Sequence, residues 1–301
     1  MLKADVLRIL TIDPLQHPRG QSHLSAASGL VCTHGRVYVI SDDEHHLVVF
    51  RDRASQGAMH RLFTGDLPAG KKARKRLKPD LETLLCLPPF GGSPNAALLA
   101  LGSGSRANRS TGVVIPLGDG GEPSADIRSF DLESLYTPLR EALGEINIEG
   151  AMLVGDEFVL LNRGVAGRTD NAAARYPLPA LIDALEGSVS AVKPASIRRF
   201  MLGHIEGVPL AFTDAAALPG GGWVFTAVAE DTRDSYADGH CRGSVVGVVD
   251  ARGALVATHR LDRLVKVEGI AVHVDGAGMT LCMVTDADDP AQGSQLLLAR
   301  L

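Results

Sequence analysis

The chain has 301 residues, 45% hydrophobic and only 4% aromatic, which is material for a large core in one big all-β domain or in two smaller ones. A formal charge of −5 and a pI near 6.1 exclude a nucleic-acid binder whose whole surface is basic, because neutralising phosphates takes an excess of Lys and Arg. No apolar run reaches the roughly 18 residues of a membrane span, and the start, MLKADVLRILTIDP, lacks the apolar core of a signal peptide, so a soluble cytoplasmic protein with no nucleic-acid or membrane partner is expected.

In chain order, one short phrase recurs five times: Ser28-Gly29-Leu30, Glu82-Thr83-Leu84, Glu149-Gly150-Ala151, Asp214-Ala215-Ala216 and Glu268-Gly269-Ile270. An oxygen-bearing residue is followed by a small one and then by an apolar strand, at spacings of 54, 67, 65 and 54 residues, near the length of a propeller blade. The first phrase opens the strand series SGLVCTH, RVYVISD, HLVVFRD and AMHRLFT. The second opens ETLLCLP, AALLALG, TGVVIPL and DIRSFDL, and a short helix from Leu132 to Leu143 precedes the third. The third gives EGAMLVG and EFVLLNR, a detour through a short helix from Leu178 to Leu185, and SIRRFML. The fourth gives DAAALPG, GWVFTAV, SVVGVVD and LVATHRL. The fifth has only EGIAVHV, MTLCMVT and SQLLLARL, and its missing strand is available at the other terminus as DVLRILTID.

This arithmetic predicts an all-β fold, a five-bladed β-propeller with four strands per blade, in one domain over 1–301. The blades fall at about 25–66, 80–131, 147–203, 210–262 and 266–301, the last completed by 5–13, and closure removes the exposed sheet edges of an open array. The GGSPN and PGGGW stretches read as hairpin turns. Cys32, Cys86, Cys241 and Cys282 lie far apart with no C-x-x-C pair and read as buried thiols rather than a disulfide or zinc site. The histidines show no metal-ligand spacing and read as surface or structural, with His45-His46 at a hairpin tip.

In a propeller the first strand of each blade lines the central tunnel, and the start of strand one shares a face with the end of strand two. Both places are polar here. The strand-one starts carry Ser28, Glu82, Glu149, Asp214 and Glu268; the strand-two ends carry Asp42-Asp43, the Gly102–Arg106 stretch with Ser105 and Arg106, Asn162-Arg163, Glu230-Asp231 and Asp286. Four carboxylates converging on a tunnel repel by about 3 kcal/mol per pair at about 5 Å. Their combined repulsion exceeds ordinary folding stability, so protons or a cation must compensate. Oxygen donors in a flexible ring suit a hard ion, and calcium tolerates irregular geometry best. The alternative is that these side chains bond backbone amides of neighbouring blades and merely fasten the ring.

The basic connection Gly70-Lys71-Lys72-Ala73-Arg74-Lys75-Arg76-Leu77-Lys78-Pro79 must lie beside the tunnel mouth. With Arg106, Arg109 and Arg163 it would surround the acidic site with cations suited to a phosphate or a polycarboxylate, a small anionic ligand. Lys72, Arg74, Ser105, Arg106, Arg109, Asn162, Arg163, Asp231 and Asp286 are the candidate binding residues.

The ring order Ser28, Glu82, Glu149, Asp214, Glu268, together with VEGIAV and SDDEHH, resembles the calcium-dependent apyrases, five-bladed nucleotidases with one tunnel calcium held by Ser and Glu side chains. Two differences stand out: Asp214 replaces a Ser, and Asp42-Asp43 is not followed by Arg-Thr-Gly. The stretches KKARKRLKPDLETL, LALGSGSRANRSTGVV and EGAMLVGDEFVLLNRG are similar to uncharacterised bacterial propellers akin to the esterase-like domain associated with phytases. The resemblance implies a calcium-dependent hydrolase of a small phosphorylated or anionic substrate, with Asp42 or Asp43 orienting or deprotonating the attacking water. Two other functions keep the same residues: a non-catalytic module that binds an anionic ligand, and a propeller lactonase or esterase.

Overall fold

A computed structural model describes residues 1–52, 54–91, 95–165, 170–232 and 239–301. Four antiparallel strands form each blade, and the chain visits them from the inside outwards. Blade 1 consists of Ala27–Thr33, Arg36–Ser41, His46–Phe50 and Ala58–Arg61; blade 2 of Leu81–Leu87, Ala97–Gly102, Thr111–Pro116 and Arg128–Asp131. Blade 3 consists of Ile148–Val154, Glu157–Asn162, Asn171–Pro177 and Ser196–Phe200. Blade 4 consists of Val208–Ala217, Trp223–Asp231, His240–Val249 and Leu255–Arg260, with the two-residue strand His204–Ile205 added on its inner edge. Blade 5 takes Lys266–Asp275, Gly278–Asp286 and Gln295–Arg300 from the C-terminal end and Ala4–Ile9 from the N-terminal end.

The expected closure is present: Ala4 pairs with Ala299, Val6 with Leu297 and Ile9 with Gln295. Each inner strand contacts the next around the ring, and that of blade 5 returns to blade 1. These strands approach closely, which is why the repeat phrase needs a small residue in second place. A Cβ on Gly29 would stand 2.9 Å from the Leu84 backbone nitrogen, and one on Gly269 3.2 Å from that of Leu30.

The core is five apolar layers, one at each blade-to-blade boundary. Both faces of a blade are therefore buried, and the strands read as apolar runs without alternation. In blade 2, Leu99 and Leu101 face blade 3 while Leu98 and Ala100 face blade 1. Helix α2 (Glu133–Leu143) plugs the boundary of blades 2 and 3 with Leu135, Tyr136 and Leu139, and the Tyr136 hydroxyl donates to the Gly102 carbonyl at 2.6 Å. Helix α3 (Leu178–Leu185) lies where the sequence places a helix.

Four details differ from expectation. The strand Asn171–Pro177 was hidden by its run of alanines. The basic connection forms a helix, α1 (Lys71–Leu77), to which the sequence reading gave no secondary structure. The four thiols are free, but Cys32 is exposed and the others are half-buried. His46 begins a strand and is buried, not at a hairpin tip. Of the two expected turns, PGGGW links Val208–Ala217 to Trp223–Asp231, whereas 92–94 of GGSPN lie outside the described residues. Among the described residues no helix is long and apolar enough to cross a membrane.

Candidate functional site

Near the mouth, every inner strand carries one β-bulge, an extra residue with no partner on the second strand. The unpaired residues are Ser28, Glu82, Glu149, Thr213 and Glu268. A bulge re-aims its side chain, here away from the blade faces, and Ser28, Glu82, Glu149 and Glu268 line one axial cavity of about 530 Å³. In blade 4 the bulge falls on Thr213, one residue before the predicted position. Asp214 instead stands where the other blades have Gly29, Thr83, Gly150 and Gly269. Its carboxylate accepts the N–H of Ala215 and of Ile270, both at 2.8 Å, and so fastens blade 4 to blade 5. Asp214 is 1% exposed, is not among the residues lining the cavity, and its acidity is suppressed by burial.

Two residues before each bulge, strand alternation presents a second ring to the same cavity: Ala26, Asp80, Asn147, Ala211 and Lys266. The ends of the second strands add Asp42, Arg163, Glu230 and Asp286, and Asp288 follows. Sequence reading missed Asp80 and Lys266. The signal was a period of two, since Asp80-Leu81-Glu82, Asn147-Ile148-Glu149 and Lys266-Val267-Glu268 share a face.

The ring divides into two charged sectors. At blades 1 and 2, Lys78 Nζ lies 3.0 Å from Asp80 Oδ1 and 3.5 Å from Asp43 Oδ1, and also pairs with Asp42 Oδ2. Asp80 further accepts from Arg109 Nη1 at 2.7 Å and from the Ser103 hydroxyl at 2.6 Å. These partners hold its carboxyl below the usual range although burial opposes them. Asp42 is pushed up to about 7, chiefly by burial, and its Oδ1 is buried without a hydrogen-bond partner. Glu82 has no ion-pair or hydrogen-bond partner among the described residues, and burial with neighbouring Glu149, Asp80 and Asp42 drives its proton affinity well up. Carboxylate oxygens of Asp42, Asp80 and Glu82 lie within 4.8 Å of one another.

At blades 3 to 5, Arg163 reaches Glu149 at 3.4 Å, Glu230 at 2.5 Å and Glu268 at 3.9 Å. Lys266 Nζ lies 3.1 Å from Glu268 and 2.9 Å from Asp288. Asn147 donates to Glu149 at 2.6 Å. Burial still outweighs the two cations at Glu268, whose carboxyl is pushed up to about 7, with Oε1 lacking a well-directed hydrogen bond. Asp286, also in the cavity, is raised well above the usual carboxylate range, mainly by burial.

The remaining predicted residues lie elsewhere. Arg74 is buried in α1, where it donates to the Pro68 and Ala69 carbonyls and pairs with Asp43 at 3.1 Å; the Asp43 carboxylate is thus occupied and outside the axial cavity. Lys72 and Arg106 are exposed and do not line the cavity. Ser105 bonds Ser103 and Arg109, and Asn162 accepts the N–H of Asn147 and donates to the Asp170 carbonyl, both structural corners. Asp231 points outwards to Arg242 at 3.2 Å, while its neighbour Glu230 faces the cavity.

Three cations, Lys78, Arg163 and Lys266, stand among the acidic side chains, Ser28 donates to the Leu81 carbonyl at 2.6 Å, and the Asp214 carboxylate accepts from backbone. Hard oxygen donors of the kind a divalent cation takes gather within this cavity at Asp42, Asp80 and Glu82, where one buried oxygen is orphaned.

No curated protein matches the sequence. The fold is similar to that of an α-L-arabinofuranosidase from Podospora anserina solved with cellotriose (TM-score 0.54, 13% identity, 100% of this chain and 96% of that one). It is also similar to a candidate glycoside hydrolase from Parabacteroides distasonis (0.51, 12%, 97% and 91%). A gluconolactonase from Xanthomonas campestris is more distant (0.41, 11%, 91% and 72%). At these identities the likeness shows the propeller and not the chemistry. The match that names a kinship is to a family model over residues 23–301, and the chain belongs to that family of unknown function, DUF6929.

Proposed function

We propose that the chain is a hydrolase that cleaves a small neutral ester or lactone in the axial cavity, assisted by a divalent cation, calcium by its donor chemistry, at Asp42, Asp80 and Glu82. The observation that carries this reading is the pairing within one cavity of the three-carboxylate cluster and Glu268, a carboxyl pushed up to about 7. A proton acceptor poised near neutrality suits general base work.

Charge balance favours a neutral substrate over the phosphorylated one that the sequence suggests. Lys78, Arg109, Arg163 and Lys266 are already paired with carboxylates, and an anion would have to displace them. A cation bound at the cluster would polarise the substrate carbonyl. Glu268 takes a proton from the attacking water and returns it to the departing alkoxide. Arg163, bridging Glu149, Glu230 and Glu268, holds that carboxylate in place.

The test is hydrolysis of p-nitrophenyl acetate and δ-valerolactone by the full chain, with calcium, with chelator, and with Glu82→Gln. Turnover that chelation abolishes and calcium restores, and that Glu82→Gln lowers at least about a hundredfold, is expected. Absence of turnover on both substrates overturns the proposal.

A further inference from the structure

We propose that the hairpin between blades 3 and 4 is an apolar lip that selects substrates with a hydrocarbon arm, so that the substrate is an amphipathic ester or lactone. This rests on the hydrolase reading and deepens it. The charged rings of the cavity are not uniform. In the blade 4 sector the bulge residue is Thr213 where three other blades have Glu, and the ring two residues earlier has Ala211 where blades 2, 3 and 5 have Asp80, Asn147 and Lys266. The acidic side chain that blade 4 does supply, Glu230, is taken by Arg163 and by the Gly239 N–H.

Above this apolar sector the wall is Phe200, Met201, Leu202, Pro209 and Leu210, with His204 at the rim. The inner strand of blade 4 starts at Val208, five residues before its bulge, whereas those of blades 1 to 3 start one residue before theirs. At strand rise the extra length projects roughly 13 Å beyond the blade 3 strand and about 10 Å beyond that of blade 5, which starts two residues before its bulge. The extension is pinned, not loose. His204 and Ile205 pair with Pro209 and Val208, and the Leu210 N–H donates to the Gly203 carbonyl at 2.9 Å. Asn171 donates to the Leu210 carbonyl at 2.8 Å and accepts the N–H of Phe212 at 3.0 Å.

Met201, at 95% exposure, offers water a large flexible apolar side chain at the rim of a charged cavity. Such a side chain adapts to hydrocarbon of varied shape, and an apolar wall continuous with a polar floor recognises a molecule that is polar at one end only.

Two measurements test the lip. The first is the ratio of kcat/KM for p-nitrophenyl hexanoate over p-nitrophenyl acetate in the wild type, Met201→Ser and Leu210→Asn. The ratio should be about tenfold in the wild type, as for partial burial of four methylenes, and should fall to about threefold or less in Met201→Ser, a surface change that leaves folding intact. The second is calorimetric titration with 1,2-hexanediol and with ethylene glycol, which needs no turnover. A preference for hexanediol that Met201→Ser removes supports the lip even where neither ester is cleaved, and in that case the hydrolase reading alone fails. Esters cleaved at a ratio near one in the wild type, or a ratio unchanged in both variants, overturn the lip and leave the hydrolase reading standing.

Discussion

Asp214 and Ile270 are joined across the boundary of blades 4 and 5, carboxylate to backbone N–H, at 2.8 Å. The same carboxylate holds the N–H of Ala215, so one buried side chain satisfies two inner strands. Asp214→Ala strands both donors and is expected to cost about 2–4 kcal/mol, while Asp214→Asn, which keeps one acceptor, costs less. Chemical denaturation reads both values. Calcium affinity should not change in the folded variants, and a variant that keeps its stability but loses the ion would return Asp214 to the axial ligand set.

That pair also shows how far the sequence could be read. Blade count, closure and the polar mouth follow from repetition: Ala4–Ile9 completes blade 5 as the strand arithmetic requires, and Glu82, Glu149 and Glu268 reach one cavity. The one-residue offset at Thr213 was not legible, because Asp214-Ala215-Ala216 imitates the phrase while a bulge position is set by pairing with the second strand. Lys78 was read as one member of a basic run, since nothing in composition says that it turns inwards as Lys72 stays outside. The internal cations Lys78, Arg163 and Lys266 were missing from that electrostatic reading, and the three carboxylates that gather within 4.8 Å stand at blades 1 and 2.

Lys78 shares Asp42 and Asp80 with any ion at the cluster. Lys78→Met leaves those carboxylates uncompensated and is expected to cost about 3–5 kcal/mol without calcium. Calcium should recover much of that loss, by about 2.7 kcal/mol at a concentration a hundred times Kd. The measurement is Tm with chelator and with calcium for both proteins. An equal calcium response in wild type and variant would place the ion away from Lys78.

Glu268 gives a dependence on pH. Its carboxyl is raised from the ordinary 4.5 to about 7 by burial, with Glu149 and Glu230 adding to the rise and Lys266 and Arg163 opposing it. Between those values the folded state holds a proton that the unfolded state has lost, so the stability from this group is complete below about 4.5 and is lost as pH rises to about 7. The loss is roughly 3 kcal/mol, and Glu268→Gln should flatten that part of the stability profile. In catalysis the carboxylate form is the base, so the rate should climb through pH 7 and then level off. A flat rate profile in the same range would remove Glu268 from the reaction.

His46 should set the acid limit. Its imidazole is buried at the start of a strand, with Nδ1 lacking a partner, and burial together with the nearby Arg61 lowers it from 6.5 to about 4. The unfolded chain therefore binds a proton in a range where the folded chain does not. The sign follows: stability tied to neutral His46 is intact above about 6.5 and falls as pH drops towards 4, by roughly 3 kcal/mol. This slope is opposite to that of Glu268, and the two together place the stability maximum in mildly acidic solution. Replacing His46 by Gln removes the titration but not the polarity, so Tm should drop less between pH 6.5 and 4 than in the wild type even if the variant is weaker at neutrality. A His46→Gln profile parallel to that of the wild type over this range would show that the imidazole titrates normally in the folded protein, and the acid limit would then belong to carboxylates such as Asp80, which Lys78 and Arg109 hold ionised.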